Sequence, residues 1–105
     1  MNKIEFHRLA DSEMNYLMSV IEEQDKDCIL DVDILNEILT ITLPSNKQYV
    51  INKQNYTQQI WLSSPFTGAH HFDYNATIDL WVARKNQELR YLLNNEIANI
   101  AALKF

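Results

Sequence analysis

A chain of 105 residues, 47% hydrophobic and 22% charged, has the composition of one globular domain that needs no disulfide staple to fold. Its single cysteine, Cys28, excludes an internal disulfide, no apolar run approaches the roughly 18 residues of a membrane helix, and one glycine with two prolines leaves little for linkers. The net charge of -5 argues against a nucleic-acid partner.

That charge is unevenly spread. Residues 11 to 37 carry Asp11, Glu13, Glu22, Glu23, Asp25, Asp27, Asp31, Asp33 and Glu37 against one base, Lys26, whereas the remainder of the chain is slightly basic. Such a dipolar surface repels phosphate at one end and attracts cations or basic proteins there.

From Ile4 to Gln24 there is no Gly or Pro, and Phe6, Ala10, Met14, Leu17 and Ile21 recur at three- and four-residue spacing, which predicts an amphipathic helix about 30 Å long. Acids at its C-terminal end, Glu22, Glu23 and Asp25, sit against the negative pole of the helix dipole. Surface acids of this kind are as a rule simply solvated, but a sequence that tolerates the cost can also be using the charge. Cys28 to Ile34 alternates Leu30 and Val32 with Asp31 and Asp33, the pattern of an edge strand whose charges discourage aggregation. Leu39, Ile41 and Leu43 alternate with Thr40 and Thr42 in a second strand, and Pro44-Ser45-Asn46 is a turn.

The stretch Tyr49 to Tyr74 organises the rest. A strand at Gln48 to Asn52 turns Tyr49 and Ile51 inward and Asn52 outward; Lys53 to Thr57 reads as a polar turn. In the strand Gln58 to Ser64, Ile60 and Leu62 face the core while Gln59, Trp61 and Ser63 face the other way. A lone indole among amides fits a sheet surface that no helix covers, and marks a docking surface. Pro65-Phe66-Thr67-Gly68 is the clearest turn, with the one glycine where positive φ is cheap. His70 and His71, adjacent on the next strand, point to opposite faces and cannot share one metal. Leu80 to Ala83 gives a last short strand. Asn86 to Leu103 gives a second helix, with Glu96 interrupting its apolar stripe. The order predicts an α+β two-layer sandwich in a single domain, 1–105, with two helices packed on one face of an antiparallel sheet of about five to six strands.

The segments Val50-Ile51-Asn52-Lys53-Gln54, Gln59-Ile60-Trp61-Leu62-Ser63-Ser64-Pro65 and Phe72-Asp73-Tyr74, in this order, resemble the central strands of the frataxin family. Glu5-Phe6-His7-Arg8-Leu9-Ala10-Asp11 is similar to the first helix of its bacterial members. The resemblance covers Ile4 to about Ala102 and implies Trp81 inward. It implies a protein that binds iron weakly, ferrous or ferric, on an acidic ridge, here Glu22, Glu23, Asp25, Asp27, Asp31 and Asp33. It also implies docking on the cysteine desulfurase and scaffold protein that build iron-sulfur clusters, through Asn52, Lys53, Gln54, Gln59, Trp61 and His71. A monomer is expected, with iron-dependent oligomers as a further state. Mitochondrial members carry arginine where His71 stands.

From the residues alone, carboxylates suit hard cations, yet no EF-hand loop or convergent His/Glu pair is present, so a site on the ridge should be shallow and hydrated. His7 lies one turn from Asp11, a surface pair. No nucleophile with an activating base and no phosphate loop appears, so no catalytic residue is assigned. The expected function is an iron-binding regulator or iron donor for cluster assembly. The alternatives are a ferroxidase that stores iron and an acidic interaction domain without metal. The N-terminus lacks signal- or transit-peptide character, which with the lone cysteine predicts a reducing cytoplasm. The resemblance, bacterial in Glu5 to Asp11 and closer to mitochondrial members in Tyr49 to Pro65, implies that this cytoplasm is bacterial, in a lineage near the mitochondrial one.

Overall fold

The computed structural model describes residues 1–105. Its first helix, α1, spans Lys3–Gln24. Asn2 starts it, its side-chain oxygen accepting the Glu5 N–H at 2.8 Å, and the 3.6-residue period buries Phe6, Ala10, Met14, Leu17 and Ile21 against the sheet. Six strands follow: β1 Asp31–Leu35, β2 Ile38–Thr42, β3 Gln48–Gln54, β4 Gln59–Ser64, β5 Gly68–Asn75 and β6 Leu80–Val82. All pair with their sequence neighbours, antiparallel, in the order β1 to β6. A second helix, α2 Leu89–Ile97, completes the helical layer. This is the expected two-layer sandwich.

Register follows the alternation of apolar residues. Leu39, Ile41, Tyr49, Ile51, Ile60, Leu62, Phe72 and Trp81 project from the sheet toward the helices and are buried, joined by Leu89, Leu92, Leu93 and Ile97 of α2. The indole of Trp81 is inward, as the resemblance implies. Gly68 holds φ +84 at the head of β5, the conformation its lack of a Cβ allows.

Three boundaries differ from the sequence expectation. β1 starts at Asp31, not Cys28, because Cys28 has φ 52 and the Asp25 carboxylate takes the N–H groups of Ile29 and Leu30. β3 continues through Lys53 and Gln54, which pair with Ile60 and Gln59. α2 is half the expected length. A short 3-10 turn at Arg84–Asn86 precedes it, with Lys85 and Asn86 at φ 60 and 58, and Glu88 caps it by accepting the N–H groups of Arg90 (3.1 Å) and Tyr91 (2.7 Å). Beyond Ile97 the chain unwinds, and Ala101 and Phe105 fill the core instead of further helical turns.

Candidate functional site

β3, β4 and β5 present a face that no helix covers. Cross-strand pairing aligns Asn52 with Trp61 and Trp61 with His71, so these three side chains form one transverse row on it. The indole of Trp61 lies flat on the His71 imidazole, with centroids 4.2 Å apart and 11° between planes. Its Nε1–H donates to Gln59 Oε1 at 2.9 Å, and Gln59 Nε2 donates to Asp73 Oδ1 at 3.2 Å. Stack and hydrogen bond together hold the half-buried ring in one orientation, so little side-chain entropy remains to be lost when a partner lands on it. Leu35 and Ile38, which pair with each other, prolong the row from the β1–β2 turn and are 66% and 41% exposed. Gln54 pairs with Gln59 beside the row.

Lys53 does not belong to this face. Strand alternation sends it to the helix side, where its side chain is 3% exposed and its ammonium meets Asp11 Oδ1 at 2.7 Å, Glu37 Oε1 at 3.0 Å and His7 Nδ1 at 3.2 Å. Burial works against the charge, but the two carboxylates outweigh it and hold the ammonium above the usual lysine range. Because the ammonium can only donate, His7 accepts through Nδ1 and carries its proton on Nε2. The expected polar turn at Lys53 is therefore a buried tie between α1, the β1–β2 turn and β3. The expected His7–Asp11 surface pair is two ligands of one lysine.

On the acidic side, Glu22, Glu23, Asp27, Asp31 and Asp33 are exposed and take part in no ion pair. Asp25 is different: it is buried, with Oδ1 on the Ile29 N–H (3.0 Å) and Oδ2 on the Leu30 N–H (2.8 Å). Both oxygens are committed to closing the α1–β1 corner, so Asp25 leaves the expected ligand set. No three His, Cys, Asp or Glu side chains gather as a tight metal site requires. The five free carboxylates form a diffuse field, suited to a hydrated cation or a basic surface.

Two polar clusters escaped the sequence reading. Glu13, buried on α1, takes two hydrogen bonds from the Arg90 guanidinium, which also lies 3.8 Å from the Tyr16 ring centroid. Its signal was there: Glu13 falls at three- and four-residue spacing between Ala10 and Leu17, on the apolar stripe. Glu96, which interrupts the apolar stripe of α2, accepts hydroxyls from Tyr49 (2.9 Å), Ser64 (2.6 Å) and Thr67 (2.7 Å). Burial, then the Glu96 carboxylate, push the Tyr49 phenol far above its ordinary range.

A profile of the frataxin-like domain matches residues 1–102. The chain belongs to the frataxin family. Mitochondrial frataxin of Arabidopsis thaliana is 38% identical over 100 residues, 91% of this chain and 54% of that relative. The solved frataxin of Psychromonas ingrahamii superposes with a TM-score of 0.82 at 30% identity, over 94% of this chain and 90% of that one. A trimeric frataxin of Saccharomyces cerevisiae, complexed with ferrous iron, superposes with a TM-score of 0.78 at 34% identity, over 90% and 86% of the two chains. This frataxin-family chain spans about half the length of the curated relatives it matches. Those relatives are mitochondrial, which overturns the expected bacterial cytoplasmic setting. The expectation leaned on the bacterial character of Glu5 to Asp11 and on the absence of a leader in residues 1 to 5, and the start of a chain half as long as its relatives decides nothing about one. No helix is long and apolar enough to cross a membrane.

Proposed function

We propose that this protein regulates, or supplies iron to, iron-sulfur cluster assembly by docking its open sheet face on a cysteine desulfurase and its scaffold protein. The observation that carries the reading is the fixed Trp61: a stacked, hydrogen-bonded indole in the middle of an uncovered face, flanked by Asn52, Gln54, Gln59 and His71. Aromatic anchors held this way are the residues that dominate protein interfaces. The unpaired carboxylates of Glu22, Glu23, Asp27, Asp31 and Asp33 serve the same function, drawing a hydrated iron ion or a basic surface to one end of the molecule. The ferrous iron in the related yeast trimer supports iron as the cargo. Oligomers with iron are part of this reading, and the docking species is the monomer.

The test is desulfurase turnover in the presence of scaffold, with and without this protein, at low and at added ferrous iron. The ferroxidase alternative is separated by oxygen uptake: a ferroxidase accelerates consumption catalytically, whereas a docking regulator does not.

A further inference from the structure

The two edges of the sheet are built differently. β1 carries Asp31 and Asp33, charges that stop a further strand from adding to it. At the other edge β6 pairs with Asp73, Tyr74 and Asn75 of β5, bridges Glu88 through Val82, and ends there. Ala69 to Phe72 of β5 therefore pair with β4 on one side and with no strand on the other. Along such a stretch every second residue turns both its N–H and its C=O toward the free side. The stretch Ala69-His70-His71-Phe72 has no acid, lysine or proline to guard it.

The chain that could have covered this edge stands off from it. After Val82 it enters the turn Arg84–Asn86, where the left-handed Lys85 and Asn86 break the extended run, and the Ala83 N–H is taken by the Gln87 carbonyl at 2.7 Å. Between turn and edge lies a cleft of about 510 Å³, lined by Gln59, Ala69, His71, Asp73, Arg84 and Gln87 among others. Neither Arg84 nor the neighbouring Lys85 has an ion-pair partner, and both are exposed. Of the nearby acids, Glu88 caps the start of α2, and Asp73, in the cleft wall, accepts from Gln59 and makes no ion pair with Arg84. A cleft with free strand backbone on one wall and an uncommitted guanidinium on the other fits an extended segment bearing a carboxylate.

We propose that the partner inserts an acidic, extended segment here, adding a short strand to the free edge of β5 and setting a carboxylate on Arg84. The inference rests on the docking reading above and deepens it. His71 connects the two: its ring stacks on Trp61 and also lines the cleft, so a partner seated on Trp61 is already at the edge.

The test is backbone hydrogen exchange of this protein, free and bound to the desulfurase and scaffold, together with the affinity of Arg84→Glu and Arg84→Lys. We expect the unpaired amides within Ala69 to Phe72 to slow about tenfold or more on binding, and Arg84→Glu to weaken the complex about tenfold with an unchanged Tm, Arg84→Lys retaining most of the affinity. If the complex forms and Trp61→Ala breaks it, yet these amides exchange as in the free protein, strand addition is wrong and face docking stands. Slowed exchange with full affinity in Arg84→Glu also overturns the proposal, because a partner lying across the face can shield those amides unaided. If no complex forms at all, both readings fall.

Discussion

Arg90 of α2 holds Glu13 of α1 in a two-pronged grip, Nε to Oε2 at 2.9 Å and a terminal nitrogen to Oε1 at 2.7 Å, with Glu13 buried at the junction of the helices. The pair sets the relative position of the two helices behind the sheet. Removing only Arg90 leaves a buried carboxylate without its counter-ion. We expect Arg90→Met to cost about 3 kcal/mol and the double variant Glu13→Leu with Arg90→Met to recover most of that loss. Urea denaturation of both variants checks it; additive losses would mean that the pair is not coupled.

Asp25 and its acidic neighbours should separate cleanly. Asp25→Ala orphans the Ile29 and Leu30 N–H groups and should cost about 2 kcal/mol of stability while leaving metal affinity unchanged. Neutralising Glu22, Glu23, Asp27, Asp31 and Asp33 should do the reverse, abolishing the binding of ferrous iron with little change in Tm. Calorimetry with ferrous iron under anaerobic conditions, paired with thermal melts, reads both.

Lys53 provides a pH signature. Its ammonium is held above the usual lysine range in the folded protein, so the folded state binds the proton more tightly than the unfolded one. Stability from this source is fully present below the unfolded lysine value of about 10.4 and is lost as pH rises through the higher folded value. Lys53→Met should therefore cost about 2 kcal/mol at neutral pH, and the gap to wild type should close in the alkaline range above that value. Denaturation at pH 7 and above pH 10 measures it; a gap that widens with alkalinity would reverse the assignment.

The Glu96 cluster gives a fourth expectation. Tyr49→Phe removes one of three hydroxyls on a carboxylate that keeps the other two, so the loss should be about 1 kcal/mol. Glu96→Leu leaves the Tyr49, Ser64 and Thr67 hydroxyls without their acceptor and should cost more. Thermal melts of the two variants rank them.

Much of this molecule was legible in the chain because burial imposes a period. Phe6, Ala10, Met14, Leu17 and Ile21 gave α1, and Ile60 and Leu62 against Trp61 gave the exposed side of β4. Ends were less legible, since they depend on capping and on contacts distant in sequence. Glu88 fixed the start of α2, and Asn94 Oδ1, taking the Phe105 N–H at 2.7 Å, helps hold the unwound tail that the apolar spacing had suggested was helix. Charged residues were least legible: Asp25 and Lys53 look like surface groups in composition, and only the fold brings Asp25 to two backbone N–H groups and Lys53 to His7, Asp11 and Glu37.

The central claim is that Trp61 is an anchor for a partner and not a support for the core. It is tested most directly by desulfurase turnover with scaffold present, titrated with wild-type protein and with Trp61→Ala, alongside the unfolding curve of each. We expect wild type to shift the rate, and Trp61→Ala to unfold cooperatively yet bind at least about 2 kcal/mol more weakly and lose the effect. A rate that wild type never moves, or a Trp61→Ala protein that unfolds without cooperativity, would contradict the account.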